Sequence, residues 1–245
     1  MPLICRLAGS LRIYSVLTAL ALLGFPPIML VISVWPRARA WGFIQGVFGL
    51  ALRLAGIKVR IEGLSHLPRD RAALYMGNHV NWLDHLILAT ALPSPLAGFE
   101  KTENFKIPIY GPMMRRWGNV EVSRRKDPEE ARRVAQEASR RLAEGCNFLV
   151  FPEGTRTRDG QLGAFKKGGF HMAIDAGAPI VPFAFQGAAA IMATGRWWTF
   201  PGTVVLHFGA PIDPADYGKD TLEALSQTTR QAIEALLATP SHATG

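Results

Sequence analysis

Between Arg12 and Arg37 the chain carries no charge. Residues 13–36 read IYSVLTALALLGFPPIMLVISVWP, an uncharged run of 24 residues. As a helix, at about 1.5 Å per residue, such a run reaches ~36 Å, against a hydrocarbon core of ~30 Å. A segment of this kind is long enough and apolar enough to cross a membrane. Pro26 and Pro27 interrupt it, so a straight helix is not expected and a kink is placed near Phe25. A second uncharged stretch follows at residues 41–52, WGFIQGVFGLAL. A cleaved signal peptide fits poorly, because the run is longer than a typical signal core and lacks an A-x-A cleavage site.

The flanking charges bear on topology. Arg6 and Arg12 precede the run, Arg37 and Arg39 follow it, and Arg53, Lys58 and Arg60 follow the second stretch. Basic residues on both sides do not match the one-sided bias of a simple span. They match a helical hairpin dipped into one leaflet, with its basic residues among headgroups. A kinked span is the alternative. Gly42, Gly46 and Gly49 form a weak small-residue stripe through which the two helices could pack closely.

Composition narrows the partners. The chain has 245 residues, with 27 Lys plus Arg against 19 Asp plus Glu, a formal charge of +8. Hydrophobic residues make up 49% and charged residues 19%, too apolar for a disordered chain and long enough for a large core. The positive balance suits nucleic acid, an anionic membrane surface or a phosphorylated substrate. Nucleic acid is disfavoured, because the basic residues are spread along the chain without interleaved aromatics. Cys5 and Cys146 are the only cysteines, which excludes a disulfide framework and a thiolate zinc site and points to a reducing compartment.

From Ile57 the pattern changes. Residues 57–61 alternate apolar and charged, a half-buried strand ended by Gly63, and residues 73–76 form a short apolar strand ending at Gly77-Asn78. Residues 83–92 read as a helix stopped by Pro93. Residues 127–145 form the clearest helix. Asp127 is its N-cap, Pro128 takes the first position, Glu130 completes a capping-box-like spacing, and Ala131, Val134, Ala138 and Leu142 share a face. Further strands are read at 147–151, 180–185 and 203–208. Further helices are read at 168–176 and 221–237, the latter with Leu222, Leu225, Ile233 and Leu236 on its apolar side. This alternation predicts an α/β domain with a mixed, partly parallel sheet flanked by helices.

Several chemistries are absent from the sequence. There is no G-x-S-x-G elbow, no G-x-x-x-x-G-K-[ST] loop, no strand-linked G-x-G-x-x-G and no H-E-x-x-H. Four patches remain. In Asn78-His79-Val80-Asn81-Trp82-Leu83-Asp84, the His and Asp are five residues apart. On one helix they would point roughly 140° apart. They can meet only if His79 lies in the turn before a helix and Asp84 in its first turns. A carboxylate on one ring nitrogen would then fix the tautomer of a general base. No serine or cysteine nucleophile is nearby, so the base would act on a hydroxyl brought by the substrate. Taken alone, a surface His beside an ordinary helical Asp explains the patch equally simply.

The second patch runs from Gly118 to Arg124 and could be a strand carrying Arg124 at its end, or a surface Arg beside Arg125 and Lys126. The third is Phe151-Pro152-Glu153-Gly154-Thr155-Arg156-Thr157-Arg158, an apolar strand turning at Gly154 into two arginines. Arginine forks and the amides of a Gly turn suit phosphate, and Glu153 could orient an Arg or a substrate hydroxyl; a solvated turn is the plainer reading. The fourth, Ala178-Pro179-Ile180-Val181-Pro182, is a pocket wall or an edge strand.

Together and in this order, these residues resemble the 1-acylglycerol-3-phosphate O-acyltransferase (PlsC-like) family of glycerolipid acyltransferases. His79 and Asp84 match its H-x4-D motif, and Gly118, Val122 and Arg124 match a second block. The segment from Phe151 to Arg156 matches the third block and Val181-Pro182 the fourth, with Lys101 where the family often has a lysine. The likeness covers roughly residues 54–209. Asn81 stands where the family usually has Ser, and Ser123 where it often has Asp; both departures bear on the acceptor more than on the reaction.

The resemblance implies the glycerolipid acyltransferase fold at residues 57–245, preceded by an N-terminal membrane-associated two-helix segment at 1–56. It implies transfer of a fatty acyl group from acyl-CoA or acyl carrier protein to a lysophospholipid hydroxyl, with no cofactor or metal. His79 would be the base and Asp84 its orienting carboxylate. Lys101, Arg124 and Arg156, with Arg158 beside them, would hold the acceptor phosphate. Gly118, Glu153, Gly154 and Thr155 would complete the substrate site. The expected location is the cytoplasmic face of a bacterial-type inner membrane. Two alternatives stand beside this reading: another acceptor, such as a lyso-ornithine lipid, and a non-catalytic membrane-binding protein.

Overall fold

The structure is a computed structural model that describes residues 3–123, 127–157, 161–193 and 195–240. Helices α1 (Leu3–Ala19) and α2 (Phe25–Val34) are joined without a break by a π-helical turn, Leu20–Gly24. The expected interruption at Pro26-Pro27 is absorbed there. The Phe25 N–H reaches back five residues to the Leu20 carbonyl, and the wider turn accommodates prolines that would crowd an α-helical one. Trp35 is extended (φ −93°, ψ 155°), as a residue before proline prefers, and reverses the chain into α3 (Arg37–Leu54).

The glycine stripe on α3 does not do what its spacing suggested. A Cβ on Gly42, Gly46 or Gly49 would meet nothing within 4 Å. The close approach is at Gly24 instead, where a Cβ would lie 3.3 Å from a methyl of Val47.

Strand β1 (Ile57–Glu62) follows, then β2 (Leu74–Gly77), α4 (Asp84–Ala91), β3 (Leu96–Ala97) and β4 (Phe99–Lys101). Two short helices, α5 (Thr102–Phe105) and α6 (Tyr110–Trp117), lead to β5 (Val120–Val122). The remainder comprises α7 (Pro128–Ala143), β6 (Asn147–Val150), α8 (Gly168–Ala176), β7 (Ile180–Gln186), α9 (Ala188–Ile191), β8 (Gly202–Phe208) and α10 (Leu222–Ala238). The main sheet has the order β1-β8-β7-β2-β6-β3, and only the β7–β8 pairing is antiparallel. A separate parallel pair, β4–β5, lies beside it. The mixed α/β sheet flanked by helices is therefore as the sequence predicts.

Period-2 alternation explains the layering. In β2, Tyr75 packs with Val181, Phe183, Leu206 and Phe208 toward α4 and the N-terminal helices. Leu74 and Met76 point the other way, with Phe148 and Ile180, toward α7, α8 and α10. Covered on both faces, β2 reads as an unbroken apolar run. The N-terminal helices share the first of these cores: Ile13, Leu17, Ile28, Val31, Ile32, Trp41 and Ile44 are buried in it. Polar ties add to the packing. Ser10 and Thr199 are hydrogen-bonded, the Tyr14 hydroxyl donates to Trp197 O (2.9 Å), and Arg12 Nε donates to Leu54 O (2.7 Å). On α7, Asp127 caps by accepting from Glu129 N–H, and Val134, Ala138 and Leu142 are buried while Ala131 is exposed.

Candidate active site

β2 ends at Gly77 in the middle of the sheet, and the chain leaves it through Asn78. The Asn78 side chain pairs with the backbone of Phe185 on β7, accepting from its N–H (2.8 Å) and donating to its C=O (3.2 Å). It takes the place of one more rung of strand pairing, so the backbone can turn away without leaving β7 unpaired. His79 follows in the turn, and Asp84 is the first residue of α4. This is the only arrangement in which the two side chains can meet. His79 Nδ1 lies 2.8 Å from Asp84 Oδ2. The same oxygen accepts from Val80 N–H (2.7 Å) and Asn81 N–H (3.0 Å).

Asp84 has no exposed surface, whereas the His79 side chain keeps 17% of its own. The carboxylate accepts a hydrogen bond from Nδ1–H, which fixes the tautomer and leaves Nε2 as the basic nitrogen at the surface. Phe151 stacks flat on the imidazole, with ring centroids 4.0 Å apart and planes at 12°. That contact limits rotation of the ring from its other face.

Asn81 is buried and structural. Its Oδ1 accepts from Leu83 N–H (2.9 Å), in the manner of a helix cap, and its Nδ2 donates to Ala188 O and Met192 O. The departure from Ser thus ties the motif turn to α9, and every polar atom of the side chain is engaged inside the protein.

The third block encloses the turn. Glu153 is buried, with Oε1 accepting from His79 N–H (3.3 Å) and Oε2 from Gly163 N–H (2.8 Å). Both oxygens are committed to backbone, so its bearing on an acceptor runs through His79. Thr157 N–H donates to His79 O (2.8 Å), closing the loop from the other side. Gly154 has φ 69°, a conformation glycine adopts freely, and Lys166 lies where its Cβ would be. Thr155 and Arg156 are exposed. Gly118 is buried and caps α6 with φ 102°, and the residues on either side of it reach the cavity. Arg124 and Arg158 lie outside the described residues.

A cavity of about 670 Å³ opens at His79. Its polar end holds His79, His85, Glu100, Lys101, Tyr110 and Gly154. Its apolar end is walled by Phe25 and Ile28 of α2, Ile44 and Phe48 of α3, and Met114 and Trp117 of α6. Glu100 accepts from Tyr110 OH (2.9 Å) and Asn104 Nδ2 (2.5 Å). Burial, then the Glu100 charge, raises the Tyr110 pKa, so that hydroxyl stays protonated.

Sequence reading missed His85 and Phe151 as neighbours of the base. His85 stands edge-on to His79 at 6.0 Å and to Phe151 at 5.4 Å. It is exposed by surface area and lines the cavity. Desolvation there, then the neighbouring His79, lowers its pKa below the ordinary histidine value, with Asp84 and Glu100 opposing. The signal was its place directly after Asp84, one helical step round from the dyad. The Lys166 backbone N–H donates to Pro152 O (2.8 Å), and its side chain lies over the Gly154 turn.

Comparisons with known proteins agree with this geometry. An Acyltransferase family model matches residues 58–186, more than half of the chain. A 1-acyl-sn-glycerol-3-phosphate acyltransferase of Chlamydomonas reinhardtii is 34% identical over 205 residues, 82% of this chain and 59% of that protein. One of Limnanthes douglasii is 30% identical, matching 80% of this chain and 70% of its own length. One of Haemophilus influenzae is 29% identical over 80% of this chain and 81% of its own. The crystal structure of the 1-acyl-sn-glycerophosphate acyltransferase PlsC from Thermotoga maritima superposes with a TM-score of 0.77. It shares 25% identity, with 97% of this chain and all of that one covered. A histidine–aspartate pair built into a sheet-end turn, a loop that locks it, and a match across the sheet that carries both place this chain in the acyltransferase family.

Proposed function

We propose that the chain moves a fatty acyl group from a thioester, acyl-CoA or acyl carrier protein, to the sn-2 hydroxyl of 1-acylglycerol-3-phosphate, giving phosphatidic acid. One observation carries this reading: the His79–Asp84 pair faces the mouth of an apolar cavity, so one opening presents both a base and a place for an alkyl chain. The activities for which the relatives are named support the same acceptor.

The step needs no acyl-enzyme and no cofactor. His79 Nε2 takes the acceptor hydroxyl proton as the oxygen attacks the thioester carbonyl carbon. The tetrahedral intermediate then collapses, the C–S bond breaks, and the departing sulfur receives that proton from the imidazolium. Asp84 holds the ring and offsets its transient charge. Lys101, on the cavity wall, and Arg156, beyond Gly154, are the described cations offered to the acceptor phosphate, with Arg124 and Arg158 completing the set. The acyl chain lies toward Ile28, Ile44 and Trp117. Since Asn81 does not face the cavity, its departure from the family pattern gives no support to a different acceptor.

The N-terminal helices serve the same chemistry by holding the site at a lipid surface, on the cytoplasmic face. Residues Arg6–Val34 form one helix long and apolar enough to cross a membrane. We favour a segment lying in one leaflet. Ser10 and Tyr14, about a turn apart, are hydrogen-bonded to the domain at Thr199 and Trp197, while Arg12 is tied to the end of α3, and a helix so held lies along the protein. Ile4, Leu7, Leu11, Leu22, Leu23 and Leu30 are exposed on it, an apolar surface that suits lipid.

The decisive experiment is acyl transfer by detergent-solubilised protein to a panel of lyso-acceptors, with acyl-CoA and acyl carrier protein donors in separate arms. Phosphatidic acid formation that disappears in His79→Ala is expected. Transfer to no acceptor, or transfer undiminished in His79→Ala, would overturn the proposal. Arg156→Ala is expected to raise the acceptor KM and leave the donor KM unchanged.

A further inference from the structure

The segment joining α5 to α6, Lys106-Ile107-Pro108-Ile109, presents two isoleucines to solvent, Ile107 at 49% and Ile109 at 66% exposure. Ile109 has φ 69°, and among the described residues no other non-glycine residue has a positive φ. A β-branched side chain opposes that conformation, at a cost of order 1–3 kcal/mol. The loop is nonetheless well fastened. Ile107 N–H donates to Asn104 O (3.2 Å), Tyr110 N–H to Pro108 O (2.8 Å) and Gly111 N–H to Ile107 O (2.9 Å). Gly111 packs so tightly on the Phe105 carbonyl that no Cβ fits. A closed, strained turn therefore holds two apolar side chains outward, an arrangement with no benefit in water.

Its position says what it meets. α6 runs beside α2: Arg116 Nε donates to Ile32 O (3.1 Å) near the C-terminal ends of the two helices. Near their starts, Tyr110 and Phe25 line the same cavity. The loop thus leads off the α6 wall of that cavity, and α2, preceded by Leu22 and Leu23 at 68% and 75% exposure, forms another of its walls. Lys106, next to Ile107, and Lys101, on the cavity wall, are exposed cations.

We propose that the loop of Ile107, Pro108 and Ile109 is a second membrane contact, dipping into the headgroup–acyl boundary of an anionic bilayer across the cavity mouth from α2. The inference rests on the lipid-acceptor reading above. With α2 on one side and this loop on the other, the entrance faces the bilayer, and a lysolipid passes from leaflet to cavity without exposing its chain. Each isoleucine moved from water into hydrocarbon strengthens attachment by roughly tenfold or more, which offsets the strain at Ile109. Lys106 and Lys101 sit at headgroup level, where a lysine favours anionic lipid.

The test uses the full chain with Cys5→Ser and Cys146→Ser, carrying an environment-sensitive fluorophore at Ile107→Cys. The fluorophore is placed at Leu23→Cys and at Glu223→Cys on α10 in parallel samples. Vesicles contain equal parts of phosphatidylcholine and anionic phosphatidylglycerol, with brominated chains as quencher. Quenching at positions 107 and 23, with none at 223, is expected. Quenching at 23 alone, or at none of the three, overturns the proposal.

Ile109→Gly adds a second readout. It relieves the backbone strain, so it should melt higher than the parent, yet turn over vesicle-borne acceptor several-fold more slowly while matching the parent in detergent micelles. Equal turnover on vesicles would overturn the lipid role of the loop. A parent protein that is inactive in micelles would instead overturn the acyltransfer reading, so the two failures are distinct.

Discussion

The two ends of the cavity are built on different principles. At the polar end nearly every atom near His79 is held by a directional bond: Asp84 Oδ2 accepts from three donors, Asn81 makes three further bonds, and Glu153 and Thr157 clamp the His79 backbone. At the apolar end, Ile28, Ile44 and Phe48 are placed by packing, with few directional bonds beside them, such as Trp117 Nε1 to Leu96 O (3.0 Å) and Trp41 Nε1 to Leu92 O (2.9 Å). Proton transfer demands positioning within a fraction of an ångström, whereas an alkyl chain only needs room and the exclusion of water. The lesson is that substitutions at one end should behave as losses of an arrangement, and at the other as changes of volume.

The largest expected effect is at Asp84. Asp84→Asn keeps the shape of the side chain and an acceptor oxygen, but without the negative charge it neither holds the Nδ1–H tautomer as firmly nor offsets the imidazolium. Turnover should fall roughly 10³–10⁴-fold with the substrate KM values little changed. Activity within tenfold of the parent would show that the polar end does not depend on that tautomer.

Asn81 comes next. Asn81→Ala leaves Leu83 N–H and the Met192 carbonyl without this partner and removes one of two bonds to the Ala188 carbonyl, at a cost of about 2–3 kcal/mol. The melting temperature should drop by about 5–10 °C. Asn81→Ser keeps an oxygen for Leu83 and loses the tie to α9, so it should fall between the two. Equal melting of all three would show that the α9 tie contributes nothing.

At the apolar end, Ile44→Phe fills cavity volume. It should leave turnover of short acyl donors unchanged and penalise long ones by roughly fourfold per excluded methylene, from ~0.8 kcal/mol each. A uniform loss over all chain lengths would mean that this end is as intolerant as the other.

The smallest effect concerns His85, at the seam. Its pKa is lowered in the folded protein, chiefly by desolvation, so the unfolded chain binds more protons between that lowered value and about 6.5. Stability contributed by the neutral ring is therefore present above about pH 6.5 and is lost as pH falls through that window. His85→Gln should flatten the acid side of a melting-temperature profile measured against pH, and an unchanged profile would remove His85 from the account of acid sensitivity.

The polar end was legible in the sequence because its parts are local. His79 and Asp84 are five residues apart, Asp84 opens a helix, and Phe151 to Thr157 is continuous, so spacing alone brings the right atoms together. The apolar end was not, because its wall draws on α2, α3, α4, α6, β4 and β6, and no spacing relates Ile44 to Trp117 or Leu149. Strands β3, β4 and β5 have two or three residues each, too few for a periodicity to show. The glycines of α3 had a packing pattern with nothing packed on it, whereas Gly24, alone in its pattern, is the one that touches Val47.

The π-helical turn at Leu20–Gly24 also sets a phase. Leu20 and Ile28 are both buried, eight residues apart, and on an uninterrupted α-helix they would be rotated about 80° from one another. One extra residue wound into the intervening turn cancels most of that rotation. A single rod can then turn the stripe of Ile13, Leu17 and Leu20 toward the domain and continue it as Ile28, Val31 and Ile32 without twisting out of alignment. The two prolines and the wide turn before them thus act like a vernier, trimming the helix by a fraction of a revolution so that both halves dock at once.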